Sequence, residues 1–376
     1  MSKAIIFVSS KTWEDHNKDG FRTRSGAMLH AFIVSGFVNH IFLFVGTGFK
    51  GGHSISEYSL DDSPCLITEI LIPEIMPESI ALSLTPGLAP MNYKITDETL
   101  HILRYAAPIF IWGYQASLCV RIQHEVGIPF FYDVIDYRVN DANLKVSQRN
   151  IWKKELEIAC KFANTVFCNG EIAYQELRNR VNNRCDILRN GVDPERFRTI
   201  NRKNTRSGIG FVGVFSKSID FTLFEFLLGR LSEIDFECYG LLHSEEEKFA
   251  GLQTFSNFHW HGKLAPDLVP TFLARCKVGI VPYNPEVTMY TLGDSMKIFE
   301  YLAAGTPVVS TNFQPNLQEK FQGLIEICEN YDQFASEIRK KIGQIPDQFW
   351  QEKAWQFVLS NTWQNRIEQV FNSSDL

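Results

Sequence analysis

The stretch that decides the fold is GDSMKIFEYLAAGTPVVST, residues 293–311. It opens with small and polar residues that suit a turn and a helix N-cap, and apolar residues then recur at helical spacing. Gly305 and Pro307 favour the end of that helix, and residues 308–311 are typical of a buried strand. The pattern therefore predicts a turn, a helix over 295–304 and a strand.

The N-terminus of this helix is a candidate anion site. Its first turn exposes backbone amides next to Ser295 and Met296, and Lys297 adds a cation, which suits phosphate best among biological anions. Lys297 and Glu300 also lie three residues apart on one helix face. On spacing alone, a solvated surface ion pair is the more frequent interpretation of such a pair.

Length and composition predict a two-domain globular protein. The chain has 376 residues, of which 45% are hydrophobic and 21% charged. A formal net charge of −6 argues against nucleic-acid binding, which requires a basic face. The eight cysteines include no CxxC pair, so we expect reduced thiols and a cytoplasmic location. No apolar run is long enough for a spanning helix, whereas peripheral contact with the inner membrane face stays open.

Two successive alternations of strands and helices predict the α/β class with two Rossmann-like domains. The first has predicted strands at 4–9, 41–45, 65–72, 108–112, 129–135 and 165–168, and helices at 25–35, 97–105, 115–126, 148–163 and 171–181. The second has predicted strands at 209–215, 235–239, 258–261, 278–282 and 308–311, and helices at 221–231, 244–252, 266–276, 295–304, 331–342, 348–359 and 361–372. Such alternation is typical of parallel sheets covered by helices on both faces.

The predicted domains are 1–200 and 201–358, followed by a terminal helical segment at 359–376. The polar run 201–207 is the best linker in the chain. One irregular segment, 70–90, is rich in proline, and long loops in compact domains are commonly functional. We expect this segment either to line an acceptor site or to touch a membrane.

Two GxGxxG matches are not dinucleotide fingerprints. The match at 46–51 leads into polar sequence without a helical pattern, and the match at 208–213 lies within a predicted strand. The second match nevertheless ends at Gly213, which opens a plausible phosphate loop before a helix. Ser216 and Lys217 would hold a phosphate oxygen there, at even odds with a simply exposed Lys217.

Two carboxylates, Asp133 and Asp136, follow the fifth predicted strand, where open α/β sheets place ligands. Each is at even odds a general base for a hydroxyl or a structural cap or ion-pair partner. His259 and His261 alternate on one strand, but a metal site needs at least a third ligand, so we favour no metal.

Five segments together resemble the GT-B-fold glycosyltransferases, most closely the glycosyltransferase family 4-like (group 1) enzymes. They are MKIFEYLAAGTPVVST (296–311), ILRNGVDPERF (187–197), GFVGVFSKSIDF (210–221), HWHGKLAPDLVPTFLARCKVGIVPY (259–283) and TWQNRIEQVF (362–371). The resemblance spans nearly the whole chain and is most specific in its C-terminal half. It implies two Rossmann-like domains facing a cleft, with C-terminal helices crossing back to the first domain.

The resemblance also implies roles at the donor site. Glu300 would bind the ribose hydroxyls of a nucleotide, and Lys297 and Lys217 would bind the diphosphate. The backbone from His261 to Leu264, with His261 and Gly262 as the named contacts, would approach the nucleobase. The other positions that it places beside the donor are Gly213, Ser216, Tyr283, Asp294, Ser295 and Met296.

The sugar end of the site is less well marked. Asp136 falls where many members carry a histidine near the transferred sugar, which makes it a candidate catalytic residue. Lys297 is the second candidate, because it would stabilise the negative charge that develops on the leaving nucleotide. The family's E-x7-E pattern requires a glutamate where this chain has Leu292, and Asp294 is the nearest carboxylate. The sugar and the choice between retention and inversion therefore stay open. GT-B enzymes generally neutralise the leaving diphosphate with cations and helix amides, so we expect no metal.

The resulting hypothesis is a metal-independent, hexosyltransferase-like glycosyltransferase of glycan biosynthesis. It would move a sugar from a nucleotide-sugar co-substrate, UDP- or GDP-linked, to a hydroxyl of a glycan, lipid-linked or small-molecule acceptor. We expect no cofactor and no nucleic-acid partner. The alternative is an inactive nucleotide-sugar-binding or scaffolding protein on the same fold. An NAD-dependent oxidoreductase shares the sheet but needs a usable fingerprint.

Overall fold

The computed structural model of the chain describes residues 3–46, 52–60, 63–73, 93, 95–141, 144–200, 206–288 and 293–373. The glycine motif beyond 46, most of the proline-rich segment, the linker up to 205 and Leu292 lie outside these residues. The chain divides into a first unit, comprising Met1–Val139, Val146–Arg189 and Arg366–Leu376, and a second unit, comprising Asn140–Lys145 and Asn190–Asn365. The boundaries predicted after 200 and 358 stay predictions.

An eight-stranded sheet forms the centre of the first unit. Its strands are β1 (Ala4–Ser9), β2 (His40–Gly46), β3 (Ser54–Ser59), β4 (Leu66–Ile72), β5 (Ile111–Gly113), β6 (Phe130–Val134), β7 (Thr165–Cys168) and β8 (Arg184–Ile187). They are ordered β3-β4-β2-β1-β5-β6-β7-β8, and only β3 runs antiparallel to its neighbour among the described strands. Every residue of β1 is buried, because helices cover both faces of a central parallel strand.

Helices cover this sheet. They are α1 (Trp13–Lys18), α2 (Arg24–Val34), α3 (Asp97–Ala106), α4 (Ala116–Val126), α5 (Val146–Phe162) and α6 (Glu171–Leu177). The end of the terminal helix α15 (Trp363–Ser373) belongs to the same unit. Its Phe371 ring lies 6.4 Å from the Phe32 ring and 5.7 Å from the Phe110 ring. Buried aromatic contacts therefore hold the C-terminus in the first unit.

The second unit contains a six-stranded, all-parallel sheet. Its strands are β9 (Ser207–Val212), β10 (Phe236–Tyr239), β11 (Phe258–Trp260), β12 (Cys276–Val281), β13 (Val308–Thr311) and β14 (Ile325–Cys328), ordered β11-β10-β9-β12-β13-β14. Its helices are α7 (Phe221–Arg230), α8 (Glu246–Leu252), α9 (Val269–Arg275), α10 (Pro285–Thr288), α11 (Met296–Ala303), α12 (Leu317–Lys320), α13 (Tyr331–Ile342) and α14 (Gln348–Ser360). The predicted α/β class with two parallel-sheet domains is confirmed.

Tyr301 holds helix α11 against the sheet. Its ring occupies the space beside Gly279 of β12, where an added Cβ would lie 2.4 Å from two ring carbons. Its hydroxyl donates a hydrogen bond to the Gly210 carbonyl oxygen of β9, at 3.0 Å. These two contacts hold the C-terminal half of α11 against β9 and β12.

Three strands, β3, β8 and β14, do not appear among the sequence predictions. All of them terminate a sheet, where fewer positions are buried: β3 and β8 contain no fully buried residue. Edge strands carry polar side chains, so they lack the continuous apolar run that marks a central strand. Among the helices that the structure describes, none combines the length and apolarity needed to cross a membrane.

Candidate functional site

The N-terminus of α11 presents a buried hydroxyl. Ser295 is the N-cap residue, yet its side chain makes no capping hydrogen bond. The residue is 7% exposed, and its Oγ has no hydrogen-bond partner in the described structure. A buried polar atom without a partner costs about 1–3 kcal/mol. A ligand oxygen bound at this helix end would accept a hydrogen bond from the Ser295 hydroxyl and others from the backbone amides of the first turn.

Lys297 lies directly against Gly213. A Cβ added at Gly213 would fall 2.4 Å from Lys297 Cε and 3.0 Å from its Nζ, so only glycine accommodates this lysine conformation. Lys297 Nζ donates a hydrogen bond of 2.5 Å to the Tyr283 hydroxyl and lies 4.9 Å from the centre of the Tyr283 ring. The structure thus brings together three residues that the sequence singled out from three separate segments.

The segment 213–219 forms a tight loop after β9. The Gly213 amide donates to the Tyr239 carbonyl at 2.9 Å, which ties the loop to β10. Ser216 is 9% exposed, and its Oγ accepts a hydrogen bond of 3.3 Å from the Ser218 amide. Lys217 is exposed. Ser216 therefore shapes the loop, whereas Lys217 extends from it into solvent.

Asp294 has a structural partner. Its carboxylate is 2% exposed and lies 3.3 Å from Lys320 Nζ, in a buried ion pair. The Asn190 side-chain amide donates to the Asp294 carbonyl at 2.5 Å, and Gln314 Nε2 donates to the Gly293 carbonyl. These contacts fix the turn before α11. Glu300 is half-buried one turn further along that helix.

His261 is held at the ends of β10 and β11. Its Nε2 lies 2.6 Å from a Glu237 carboxylate oxygen, and its ring stacks on Tyr239 with centroids 4.8 Å apart. The next residue, Gly262, has φ of +71° and accepts a hydrogen bond from the Gly240 amide at 2.8 Å. This left-handed conformation turns the backbone at the position that the sequence assigned to the nucleobase.

His259 also pairs with a carboxylate. Its Nε2 lies 2.9 Å from Oδ1 of Asp235, the residue directly before β10. Each histidine thus has its own carboxylate partner. Within the described ranges, no group of three or more histidine, cysteine, aspartate or glutamate side chains is arranged to hold a metal ion.

The first unit contains a cavity of about 260 Å³ at the carboxyl ends of β1 and β6. Asp136, Arg138 and Trp152 line it. An Asp136 carboxylate oxygen lies 3.2 Å from Arg138 Nη2, and the Arg138 guanidinium lies 5.6 Å from the centre of the Trp152 ring. The Asp136 side chain is 20% exposed, so a hydroxyl in the cavity can reach it.

Asp133 has a different environment from Asp136. Its carboxylate accepts hydrogen bonds from Arg24 Nε at 3.0 and 3.1 Å and from Arg24 Nη2 at 2.8 Å, and both side chains are buried. Arg24 Nη2 also donates to the Leu188 carbonyl at 2.8 Å. Of the two aspartates, Asp133 is therefore the one with a structural role. Arg24 was not predicted as a site residue. Its place at the start of the largely apolar helix α2 could have indicated a buried, paired charge.

Comparison with known proteins supports the resemblance. Residues 206–343 match the family described as "Glycosyl transferases group 1". A relative from Bacillus subtilis, provisionally named teichuronic acid biosynthesis glycosyltransferase TuaH, is 24% identical over 246 residues, or 62% of this chain. The match covers 58% of that relative's length.

Solved structures share the fold across the whole chain. Anabaena HepE in complex with UDP and glucose superposes with a TM-score of 0.64 at 14% identity, covering 100% of both chains. An E. coli structure described as trehalose-6-phosphate bound with UDP-2-fluoro glucose gives a TM-score of 0.66 at 10% identity, covering 99% of this chain and 98% of that one. The predicted GT-B architecture is confirmed.

Proposed function

We propose that the protein moves a sugar from a nucleoside-diphosphate-sugar donor to an acceptor hydroxyl. The match of residues 206–343 to the group 1 glycosyl transferases supports this proposal. The observation that carries this proposal is the placement of Lys297 against Gly213 at the N-terminus of α11. A lysine ammonium, helix amides and a glycine that permits close approach form an arrangement suited to a diphosphate.

The donor's diphosphate would bind at the start of α11. Lys297 would contact it through its ammonium, Ser295 through its unpartnered hydroxyl and Met296 through its backbone amide. Lys217 would approach from the rim of the loop that Gly213 opens. Negative charge develops on the leaving nucleotide as the bond to the sugar breaks, and donors that are already in place stabilise it without reorganisation.

The nucleoside would extend from the diphosphate toward Glu300 on one side and the backbone at His261 and Gly262 on the other. Glu300 would accept hydrogen bonds from the ribose hydroxyls. HepE has been crystallised with UDP and glucose, which supports UDP as the first nucleotide to test, ahead of GDP. Asp294 would act through the turn that it holds with Lys320.

The acceptor would bind in the cavity of the first unit. Both aspartates line that cavity, but the Asp133 side chain is fully buried against Arg24 whereas that of Asp136 is 20% exposed. Asp136 is therefore the proposed general base for an inverting reaction. The acceptor is a glycan, a lipid-linked molecule or a small molecule. Eight free cysteines support a cytoplasmic location, and vesicle co-sedimentation would test peripheral contact with the inner membrane face.

The test begins with the purified protein and UDP-, GDP-, ADP- and dTDP-sugars in thermal-shift and donor-hydrolysis assays, with and without EDTA. We expect stabilisation by a UDP-sugar and slow, EDTA-insensitive release of UDP. Lys297→Ala should lose most of both effects, whereas Asp136→Asn should lose turnover and retain nucleotide affinity. Lys340→Ala, which removes an exposed lysine paired with Glu337, is the matched control and should behave as wild type.

Three results would contradict the proposal. Wild-type nucleotide affinity in the Lys297→Ala variant would exclude that lysine from the donor site. Full activity in the Asp136→Asn variant would exclude Asp136 as the base. Stabilisation by nucleotide without hydrolysis or transfer to any acceptor would favour the inactive binding protein instead.

A further inference from the structure

The position of the Lys297 ammonium is held by a hydrogen bond to Tyr283. A lysine side chain has many accessible rotamers, so a free ammonium samples many positions. Here the ammonium donates to the Tyr283 hydroxyl at 2.5 Å and also lies 4.9 Å from the centre of the same ring. Tyr283 thus contacts the charge through its hydroxyl oxygen, at the edge of the ring.

Tyr283 is itself rigid. The residue is 8% exposed, and its ring packs edge-on against Phe313 with centroids 4.9 Å apart. Thr311 Oγ1 donates to the Tyr283 carbonyl at 2.7 Å, and Tyr283 forms an antiparallel bridge with Ile219 at the end of the 213–219 loop. The tyrosine is therefore fixed to β13 and to the loop that carries Gly213.

The chemistry of the partner also matters. A carboxylate in the same place would neutralise the ammonium, as Asp294 does for Lys320 nearby. A neutral phenol instead orients the ammonium and leaves its full positive charge for an anion. Because Lys297 Cε packs against Gly213 at the same time, the charge is directed at the loop where a phosphate would approach.

We propose that Tyr283 is a positioning residue for Lys297, which holds the ammonium in the orientation that binds the donor's diphosphate. This inference rests on the proposed function, and it assigns Tyr283 a role through Lys297 instead of the direct donor contact expected from the sequence. The hydroxyl's contribution is pre-organisation: removing it lets the lysine sample positions that do not bind phosphate.

A double-mutant cycle on UDP affinity, measured by isothermal titration calorimetry, tests this inference. Tyr283→Phe keeps the ring and its packing but removes the hydroxyl, so we expect about three- to tenfold weaker UDP binding and an unchanged melting temperature. In a Lys297→Ala background the same substitution should have no further effect, because the group that Tyr283 positions is gone. Tyr331→Phe removes a hydroxyl that bonds to Asp220 at 2.9 Å and should leave UDP affinity unchanged.

Three other outcomes would overturn the inference. An equal loss in both backgrounds would show that Tyr283 acts on the ligand or the fold directly, and no loss in either would show that its hydroxyl has no role. Both overturn the inference while UDP binding by the wild type leaves the proposed function standing. Failure of the wild type to bind UDP, GDP, ADP or dTDP would overturn both.

Discussion

Replacement of Gly213 by alanine should weaken UDP binding and have little effect on the stability of the fold. Gly213 is not in the left-handed region, so its backbone accepts a side chain. The new Cβ would lie 2.4 Å from Lys297 Cε, and ordinary contact requires the lysine to retreat by about 1 Å. The main clash is with the far end of the lysine side chain, and the Cβ would also lie 3.1 Å from Cζ of the buried Phe211 ring. The fold should tolerate this at a cost of about 1 kcal/mol.

Binding should respond more strongly than stability. At an effective dielectric constant of about 20, moving a unit charge from about 4 to about 5 Å from an anionic oxygen costs about 0.8 kcal/mol, or about a fourfold rise in Kd. A diphosphate carries more than one negative charge, so fourfold is the lower bound for UDP. The loss measured in Lys297→Ala sets the upper bound.

The matched control is Gly279→Ala. Its added Cβ would lie 2.4 Å from the ring of Tyr301, which is 1% exposed and cannot move away cheaply. This overpacking should cost about 1–3 kcal/mol of stability. Because Gly279 does not touch Lys297, the loss of stability should be larger and the loss of UDP affinity smaller than in Gly213→Ala. Calorimetric titration with UDP and thermal unfolding measure both quantities. Unchanged UDP affinity in Gly213→Ala would refute the idea that Lys297 binds the phosphate from its place beside Gly213.

Two further predictions concern stability in the first unit. Asp133→Asn should lower the free energy of unfolding by about 3–5 kcal/mol in urea titrations, because it removes the carboxylate charge paired with the buried Arg24 guanidinium; a loss below 1 kcal/mol would contradict this. Burial lowers the pKa of His16 from 6.5 to about 4, so the unfolded chain binds the proton first. Stability should therefore decrease by about 3 kcal/mol from this group as pH falls from 6.5 to 4, and the decrease should be absent in His16→Gln. An identical pH dependence in His16→Gln and wild type would contradict that assignment.

The sequence was sufficient for the central strands and for the edge strand β11, but insufficient for the other three edge strands, β3, β8 and β14. β1, β7 and β13 have the bounds predicted, because a strand buried on both faces must be almost wholly apolar. In β3, the sequence SISEYS has side chains that stay partly in water on both faces. Its pairing with β4 depends on a partner distant in sequence, and no local pattern specifies that partner.

The two aspartates after β6 show a similar limit. Asp133 and Asp136 are three residues apart, and sequence alone gave them equal odds of a chemical role. Their difference arises partly from Arg24, which is more than 100 residues away in sequence and donates hydrogen bonds to the Asp133 carboxylate. A signal was present, since a charged residue in an apolar helix needs a buried partner. The identity of that partner required the fold.

Three lysines, Lys217, Lys297 and Lys320, have different environments that their spacing in the sequence does not reveal. Lys320 is 8% exposed and its charge is balanced by Asp294, while Lys217 is exposed at the loop. Lys297 alone of these three has a directed position beside Gly213 and a neutral partner in Tyr283. A surface pair with Glu300 would have left this ammonium mobile and partly neutralised, and such a charge discriminates little between a bound anion and solvent. An ammonium oriented by a phenol keeps its full charge at a fixed point, and that is the property a diphosphate site requires.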